Sequence, residues 1–506
     1  MTVEEQPPGS EQEPQGRVAE LLELQRMESA LVRAELEDPD LVAPDVLRRV
    51  RYLLRFAHLT ELPGRDGTTV QLAEELDDFR AEVIEQLRPG LRDERNYRAR
   101  LLRAHAALGR LADRLESERT QLLDRHAQSF GVADLDRELA TKELVNVAGG
   151  GGGAGYVYIG AYMRLHEAGF MPSYVMGTSI GSIIGLFAAR RREPDWTTYL
   201  TLARTLSARE LFGPPTVLRR YGLPGLVWLR LKTTFGQLMS EDDGELSRIS
   251  ELEVRYEAVV GGVRRRSFER LPARYRKPAG TAAREPGLLS RARLGAATAT
   301  RMWQVAAFFD PRVVKPVVLG ADELTRNVVA IDAAGFSASI PGVLHYDRLN
   351  PDPLTERTME ALFEREEIGA LVDGGVAANV PAALAWQRIQ AGAIGTRNAF
   401  VLAFDCFHPQ WDPKHLWLQP ITQAVALQRT RDVRYADWVL RFEPTLSPVN
   451  LVPGPETVDM AIGWGRAAVE PLIPMLERSL EPVWWERAPE RGSDRWKFWR
   501  RAQPTG

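Results

Sequence analysis

Five consecutive glycines, Gly149 to Gly153, stand with Ala154 and Gly155 between a short β-branched run, Leu144-Val145-Asn146-Val147, and a helical pattern from Tyr156 to Ala168 that Gly169 closes. A strand, a glycine turn and a helix in immediate succession form the first half of a βαβ unit, and such units stack only into an α/β sheet. The pattern repeats one unit later. Tyr174-Val175-Met176 reads as a strand, Gly177-Thr178-Ser179-Ile180-Gly181 as a turn, and Ser182 to Ala189 as a helix with Arg190 to Arg192 at its C-terminal dipole. Further strand-like runs at Val328–Ile331, Ile368–Val372 and Ala399–Phe404 alternate with helical segments, which predicts a sheet with helices on both faces.

The two turns carry different chemistry. Glycines let a backbone approach a ligand, and the N–H groups at a helix N-terminus offer positive partial charge to an anion. The spacing Gly150-x-Gly152-x-x-Gly155 also fits a dinucleotide-binding fingerprint, which needs a carboxylate at the end of the next strand to hold a ribose hydroxyl. That strand ends in Met176-Gly177-Thr178-Ser179, without a carboxylate, so no dinucleotide binding is expected. In Gly-x-Ser-x-Gly a serine occupies a strained strand-to-helix turn, and both flanking positions need glycine because side chains there collide. Ser179 is the candidate nucleophile, and the N–H of Ile180 joins the amides of Gly150, Gly151, Gly152, Gly153, Ala154 and Gly155 as candidate donors to an oxyanion.

A serine hydroxyl needs a base. Of seven histidines only His408, after the strand ending at Phe404, offers the chain order Ser, Asp, His of an α/β-hydrolase, and its neighbours Pro409 and Trp411 suit a plain loop residue. Asp373 is the stronger candidate. It follows Ile368 to Val372 and precedes Gly374-Gly375, so a carboxylate stands at a strand end where the backbone is free to turn away. Alone it would read as an ordinary turn aspartate.

Together these residues resemble the patatin-like phospholipase family, whose pattern is a Gly-Gly-Gly-x-x-Gly loop, Gly-x-Ser-x-Gly, and Asp-Gly-Gly or Asp-Gly-Ala followed by Asn and Pro. Here they stand as Gly150 to Gly155, Gly177 to Gly181, and Asp373-Gly374-Gly375 with Asn379 and Pro381. Ser337-Ala338-Ser339-Ile340-Pro341 is similar to a further family segment. The resemblance covers roughly residues 144–475. It implies a three-layer α/β/α fold and a Ser179–Asp373 dyad without histidine that cleaves ester bonds of acyl lipids through an acyl-serine. It implies no metal and no organic cofactor. One departure is Ala154, where the family often has Arg or Lys.

Around this catalytic region, expected at 141–480, residues 1–16 are acidic and rich in Pro and Gln and read as disordered, while 17–140 read as helices punctuated by Pro63-Gly64 and Pro89-Gly90. The helical region carries no recognisable chemistry and reads as a packing or partner-binding unit. Between residues 261 and 293 stand ten Arg/Lys and two Glu among prolines, equally readable as a solvated loop or a membrane-facing flap. The tail 481–506, with Trp484, Trp485, Trp496 and Trp499 among arginines, suits either a bilayer interface or packing on the domain surface. A net charge of −3 is too near zero to argue for nucleic acid, and none is expected as a partner; the single cysteine, Cys406, suits a reducing, cytoplasmic compartment, and peripheral membrane contact is read from the basic segment and the Trp/Arg tail. The N-terminus shows no basic segment followed by an apolar run, so no signal peptide is expected.

Overall fold

Alternation along two central strands dictates the architecture. In β3 (Glu143–Ala148), Leu144 and Ala148 face one apolar core while Val145 and Val147 face another. In β11 (Ala399–Asp405), Phe400, Leu402 and Phe404 join the first core, and Val401 and Ala403 the second. Strands buried on both faces belong to a sheet covered on both faces. The computed structural model describes residues 16–214, 220–240, 244–271, 307–348, 351–407 and 431–486, together with Val425 and Gln428.

The sheet has seven strands in the order β10 (Ile368–Val372), β7 (Arg255–Arg264), β4 (Tyr174–Thr178), β3, β11 and β12 (Trp438–Arg441), and β8 (Val314–Leu319) pairs with β7 as well. From β7 to β12 every pairing is parallel, whereas β8 and β10 run antiparallel to β7. Helices α6 (Val157–Glu167) and α7 (Ile180–Arg190) cover one face with the helix Pro455–Val469, and the helix Ala382–Gln390 covers the other. This is the three-layer α/β/α fold expected from the sequence. A small separate sheet joins β5 (Phe212–Gly213), β6 (Val227–Leu229) and β9 (Leu344–His345).

The N-terminal region is helical, as expected. Helices α1 (Arg17–Glu37), α2 (Pro44–His58), α3 (Asp77–Leu91), α4 (Tyr97–Arg125) and α5 (Val132–Ala140) enclose their own core around Leu31, Leu53, Phe56 and Phe79, with the hairpin β1 (Glu61–Pro63) and β2 (Thr69–Gln71) at its side. This unit is fastened to the sheet by buried charge. Glu28 binds Arg55 at 2.8 Å, Arg51 at 3.4 Å and Lys142 at 2.8 Å, while Arg51 and Arg55 donate to the Ser479 carbonyl. Helix α1 also lies along the edge strand β12: Gln25 Nε2 donates to Asp437 at 2.9 Å, and the Arg33 guanidinium stacks 4.8 Å from the Trp438 ring. Covering the edge removes a template for strand addition.

Three local expectations change. Val328–Ile331 is not a strand: Val329 caps a helix from Ala330 to Ser337, all of it buried, so burial rather than β-propensity set its apolar character. Helix α3 runs through Pro89-Gly90 to Leu91, and Gly90 marks a helix crossing, since a Cβ there would lie 2.9 Å from Arg103 Cβ. The basic segment begins inside the sheet, because Gly261, Gly262 and Val263 are buried in β7 and Arg265–Arg270 is a short helix. Its remainder from residue 272 lies outside the described residues, as do Trp496 and Trp499. Trp484 and Trp485 pack on the helical unit, with the Arg48 guanidinium 4.9 Å from the Trp484 ring and Tyr52 6.2 Å from Trp485. Among the described residues no helix is long and apolar enough to cross a membrane.

Candidate active site

Strand register brings the candidate nucleophile and base together. Strand β7 pairs along one edge with β8 from Ala258 to Val263, so its other partners, β4 and β10, share the opposite edge. Strand β4 runs up that edge and ends with Thr178 opposite Val259. Strand β10 comes down the same edge from the far end and stops with Val372 opposite Gly261. The two strand ends therefore meet head-on, and the next residue of each, Ser179 and Asp373, falls at Val260. Two segments 194 positions apart (373 − 179) thus meet at one point of the sheet.

Ser179 holds the strained conformation expected of such a turn, with φ +53° and ψ −123°. Such a backbone costs on the order of 1–3 kcal/mol and persists only where neighbours hold it. Ser337 Oγ accepts the Ser179 N–H at 2.9 Å and donates to the Val259 carbonyl at 2.6 Å, while Ser182 Oγ donates to the Ser179 carbonyl at 2.6 Å. The flanking glycines are demanded by close approach. A Cβ on Gly177 would lie 2.4 Å from Ser182 Cα, and one on Gly181 would lie 2.2 Å from the Ala148 carbonyl oxygen. The elbow is thus wedged between its own helix and the end of β3.

The three motifs are laced to one another. The Gly150 N–H donates to the Asn379 carbonyl at 3.1 Å, Thr178 Oγ1 to the Ala378 carbonyl at 3.2 Å, and the Asp373 N–H to the Ser339 carbonyl at 2.8 Å. Ser337 and Asn379 thereby hold the site together, although the sequence pattern assigned neither a task. Their places inside the Ala-Ser and Asp-Gly-Gly segments were the only signal. The Asn379 Nδ2 is buried without a hydrogen-bond partner.

Asp373 is buried. Its Oδ1 accepts the Gly375 N–H at 2.7 Å, and Oδ2 makes no hydrogen bond of standard geometry. Burial pushes the carboxyl up to about 6, against the opposing pull of the Ser179 hydroxyl and the Gly375 N–H. The Ser179 side chain is thus close enough to act on the carboxylate while one carboxylate oxygen remains open. A base of this strength is charged at neutral pH yet retains more proton affinity than a solvated aspartate.

The seven amides expected to hold an oxyanion divide. Gly150 N–H is committed to Asn379, Gly153 N–H to the Pro448 carbonyl at 2.9 Å, and Ala154 N–H to the Gly151 carbonyl at 3.1 Å. Gly155 lies inside the 3-10 turn Gly152–Tyr156, facing the Ile180 side chain. The amides of Gly151, Gly152 and Ile180 have no acceptor among the described residues. Ala154 is buried in the core and is not among the residues that line the cavity. His408 lies outside the described residues. Of the other described histidines in this region, His166 binds Glu193 and accepts from the Trp196 indole, and buried His345 contacts the Leu223 carbonyl through Nδ1 at 2.7 Å.

Ser179, Ile180 and Gly152 lie at a cavity with about 960 Å³ of empty space, its open mouth included. A hydroxyl, open amides and a carboxylate beside a largely apolar cavity can attack a carbonyl, hold the resulting oxyanion and move a proton. Among the described residues no cluster of His, Cys, Asp and Glu is arranged to hold a metal ion. A family model described as patatin-like phospholipase matches residues 147–386, a span that includes the glycine loop, the elbow and Asp373 and leaves the helical unit outside. No curated protein matches the chain.

Proposed function

From the premise that residues 147–386 form a patatin-like phospholipase domain, of a family of lipid acyl hydrolases, we propose that this chain cleaves carboxylic esters of phospholipids, lysophospholipids or related glycerolipids through a Ser179–Asp373 dyad. The observation that carries this reading is the meeting of β4 and β10 on one edge of β7, which leaves a buried carboxylate beside an elbow serine that lines the cavity.

In the first step Ser179 Oγ attacks the ester carbonyl carbon while its proton passes to Asp373. The C–O bond to the alcohol then breaks, the alcohol leaves with that proton, and the acyl group stays on Ser179. Water adds to the acyl-serine as Asp373 takes its proton, and collapse frees the fatty acid and restores the hydroxyl. In both steps the oxyanion is held by the amides of Gly151, Gly152 and Ile180. Neither step calls for a cofactor. The strained elbow keeps Oγ in place before substrate arrives, so little reorganisation remains for the transition state.

A fluorophosphonate probe is expected to label Ser179, and a lipid-class screen with Ser179→Ala as the blank identifies the head group. Wild-type-like turnover in Ser179→Ala or Asp373→Asn would refute the dyad. With lipids as the substrates, peripheral contact by a cytoplasmic protein through the basic residues from Arg264 to Arg293 and the tail beyond residue 486, the parts of the two segments not packed into the fold, belongs to the same reading. Flotation with anionic liposomes tests it, with binding expected at low salt and lost at high salt.

A further inference from the structure

A second cavity lies at the opposite end of the sheet from Ser179. Strands β3, β4 and β11 run parallel, and Ser179 follows the C-terminal end of β4, whereas Lys142 and Asn398 stand just before the N-terminal ends of β3 and β11. There α1, α2 and α5 of the helical unit close over the sheet and the helix Ala382–Gln390, leaving about 550 Å³ of empty space, its opening included. Active sites of α/β sheets lie beyond the carboxyl ends of the strands, so a cavity at the amino ends stands apart from the site at Ser179.

Its charged and titratable lining comes from Glu28, Arg55, His58, Glu138, Lys142 and Arg397. The carboxylates in and behind this lining are spent inside the protein. Glu28 binds Arg51, Arg55 and Lys142, and Asp437 accepts from Gln25, Ser29 and the Val401 N–H. Glu138 Oε1 accepts from Thr396 Oγ1 and from the Arg397 N–H, both at 2.8 Å. Donors are left over. Arg397 Nη2 pairs with Glu61, while Nε of the same side chain, 9 % exposed, has no partner. The His58 ring makes no hydrogen bond among the described residues, and burial, then the cations Lys142 and Arg80, push it down to about 3. The other walls are apolar, with Leu54, Leu59 and Ile389 among them. Donors without acceptors beside hydrocarbon walls suit an occupant that is anionic at one end and apolar at the other.

We propose that this seam between the helical unit and the sheet is a binding site for a small organic carboxylate, its charged end among His58, Lys142 and Arg397 and its alkyl end against Leu54, Leu59 and Ile389. The walls come from both units, so the site exists only while the two are docked, and its occupant ties them together. Binding therefore stabilises the folded chain by mass action. An anion that is polar all round, such as phosphate, leaves the apolar walls unmatched. The site is independent of the reading of Ser179 as nucleophile.

The test titrates acetate, butyrate and inorganic phosphate into the full chain by calorimetry at fixed ionic strength, and measures the urea midpoint with and without each. Butyrate is expected to bind saturably and to raise the midpoint, about tenfold tighter than acetate because two further methylenes leave water. Phosphate is expected to bind more weakly than butyrate. His58→Phe keeps a ring in place and removes its nitrogens, and the fold loses no hydrogen bond with them. Gln390→Trp fills the space from a half-exposed helix end. Each variant weakens butyrate about tenfold or more and abolishes its effect on the midpoint. Butyrate binding that both variants leave unchanged belongs to another cavity and overturns the proposal. Phosphate bound as tightly as butyrate overturns it too, as does butyrate giving neither saturable heat nor a raised midpoint, the result for a seam filled by water alone.

Discussion

Asp373→Asn separates catalysis from stability in a way that pH can read. Burial raises the Asp373 carboxyl from 3.8 to about 6, so over that interval the folded protein holds a proton that the unfolded chain releases. Stability therefore falls as pH rises from about 4 through about 6, because the native state must give up a tightly held proton to reach its working form. Two units at about 1.36 kcal/mol each make this cost about 3 kcal/mol at neutral pH. Asparagine keeps the shape and a carbonyl acceptor for the Gly375 N–H and carries no charge into the buried site. The variant is expected to be more stable than wild type by up to about 3 kcal/mol at about pH 8, with the difference shrinking toward zero below about pH 4. Urea denaturation of both proteins at the two pH values measures it. Ester turnover in the same variant falls by roughly a hundred- to ten-thousandfold, and the acid limb of wild-type kcat/KM lies near about pH 6. A variant no more stable than wild type at the higher pH, or an acid limb near 4, would refute the argument that burial tunes this carboxylate.

The remaining predictions concern the supports of the site. Ser337→Ala removes the acceptor of the Ser179 N–H and leaves a buried donor unpaired, a loss of about 1–3 kcal/mol. Steady-state kinetics are expected to show kcat lowered about tenfold or more with KM little changed. Gly181→Ala forces a methyl against the Ala148 carbonyl, where the neighbour is backbone and has no room to yield, and lowers the urea midpoint by the equivalent of about 3 kcal/mol. Glu28→Ala leaves Arg51, Arg55 and Lys142 as buried cations without their shared carboxylate. A loss of about 3–5 kcal/mol is expected, read by urea denaturation as earlier unfolding of the helical unit and the sheet together.

Much of the site was legible because its chemistry is local. The strand before the glycine loop, the elbow helix and the strand ending at Asp373 each sit where β-branched runs, glycines and helical spacing put them. Val328–Ile331 was misread because β-propensity reports a half-buried surface, and a helix buried on all sides presents the same residues. Fewer amides of the glycine loop are open than the run suggests, for a related reason. A glycine run tells where backbone is exposed to approach, but each N–H is an obligatory donor, and three of the seven are spent on Asn379, Pro448 and Gly151, two of these acceptors lying far along the chain. Ser337 as the support of the elbow was illegible, since its hydrogen bond to Ser179 spans 158 positions.

Residue order alone determined the kind of chemistry, because a strained elbow, a turning carboxylate and an amide loop are each properties of a few adjacent residues. Tertiary structure decided whether they form one site. Only pairing along β7 makes β4 and β10 end against each other, and it does so because β8 occupies the opposite edge and leaves one edge for both. The same holds for the helical unit. The fastening of the unit is set by cations converging on Glu28, distances that no spacing along the chain encodes.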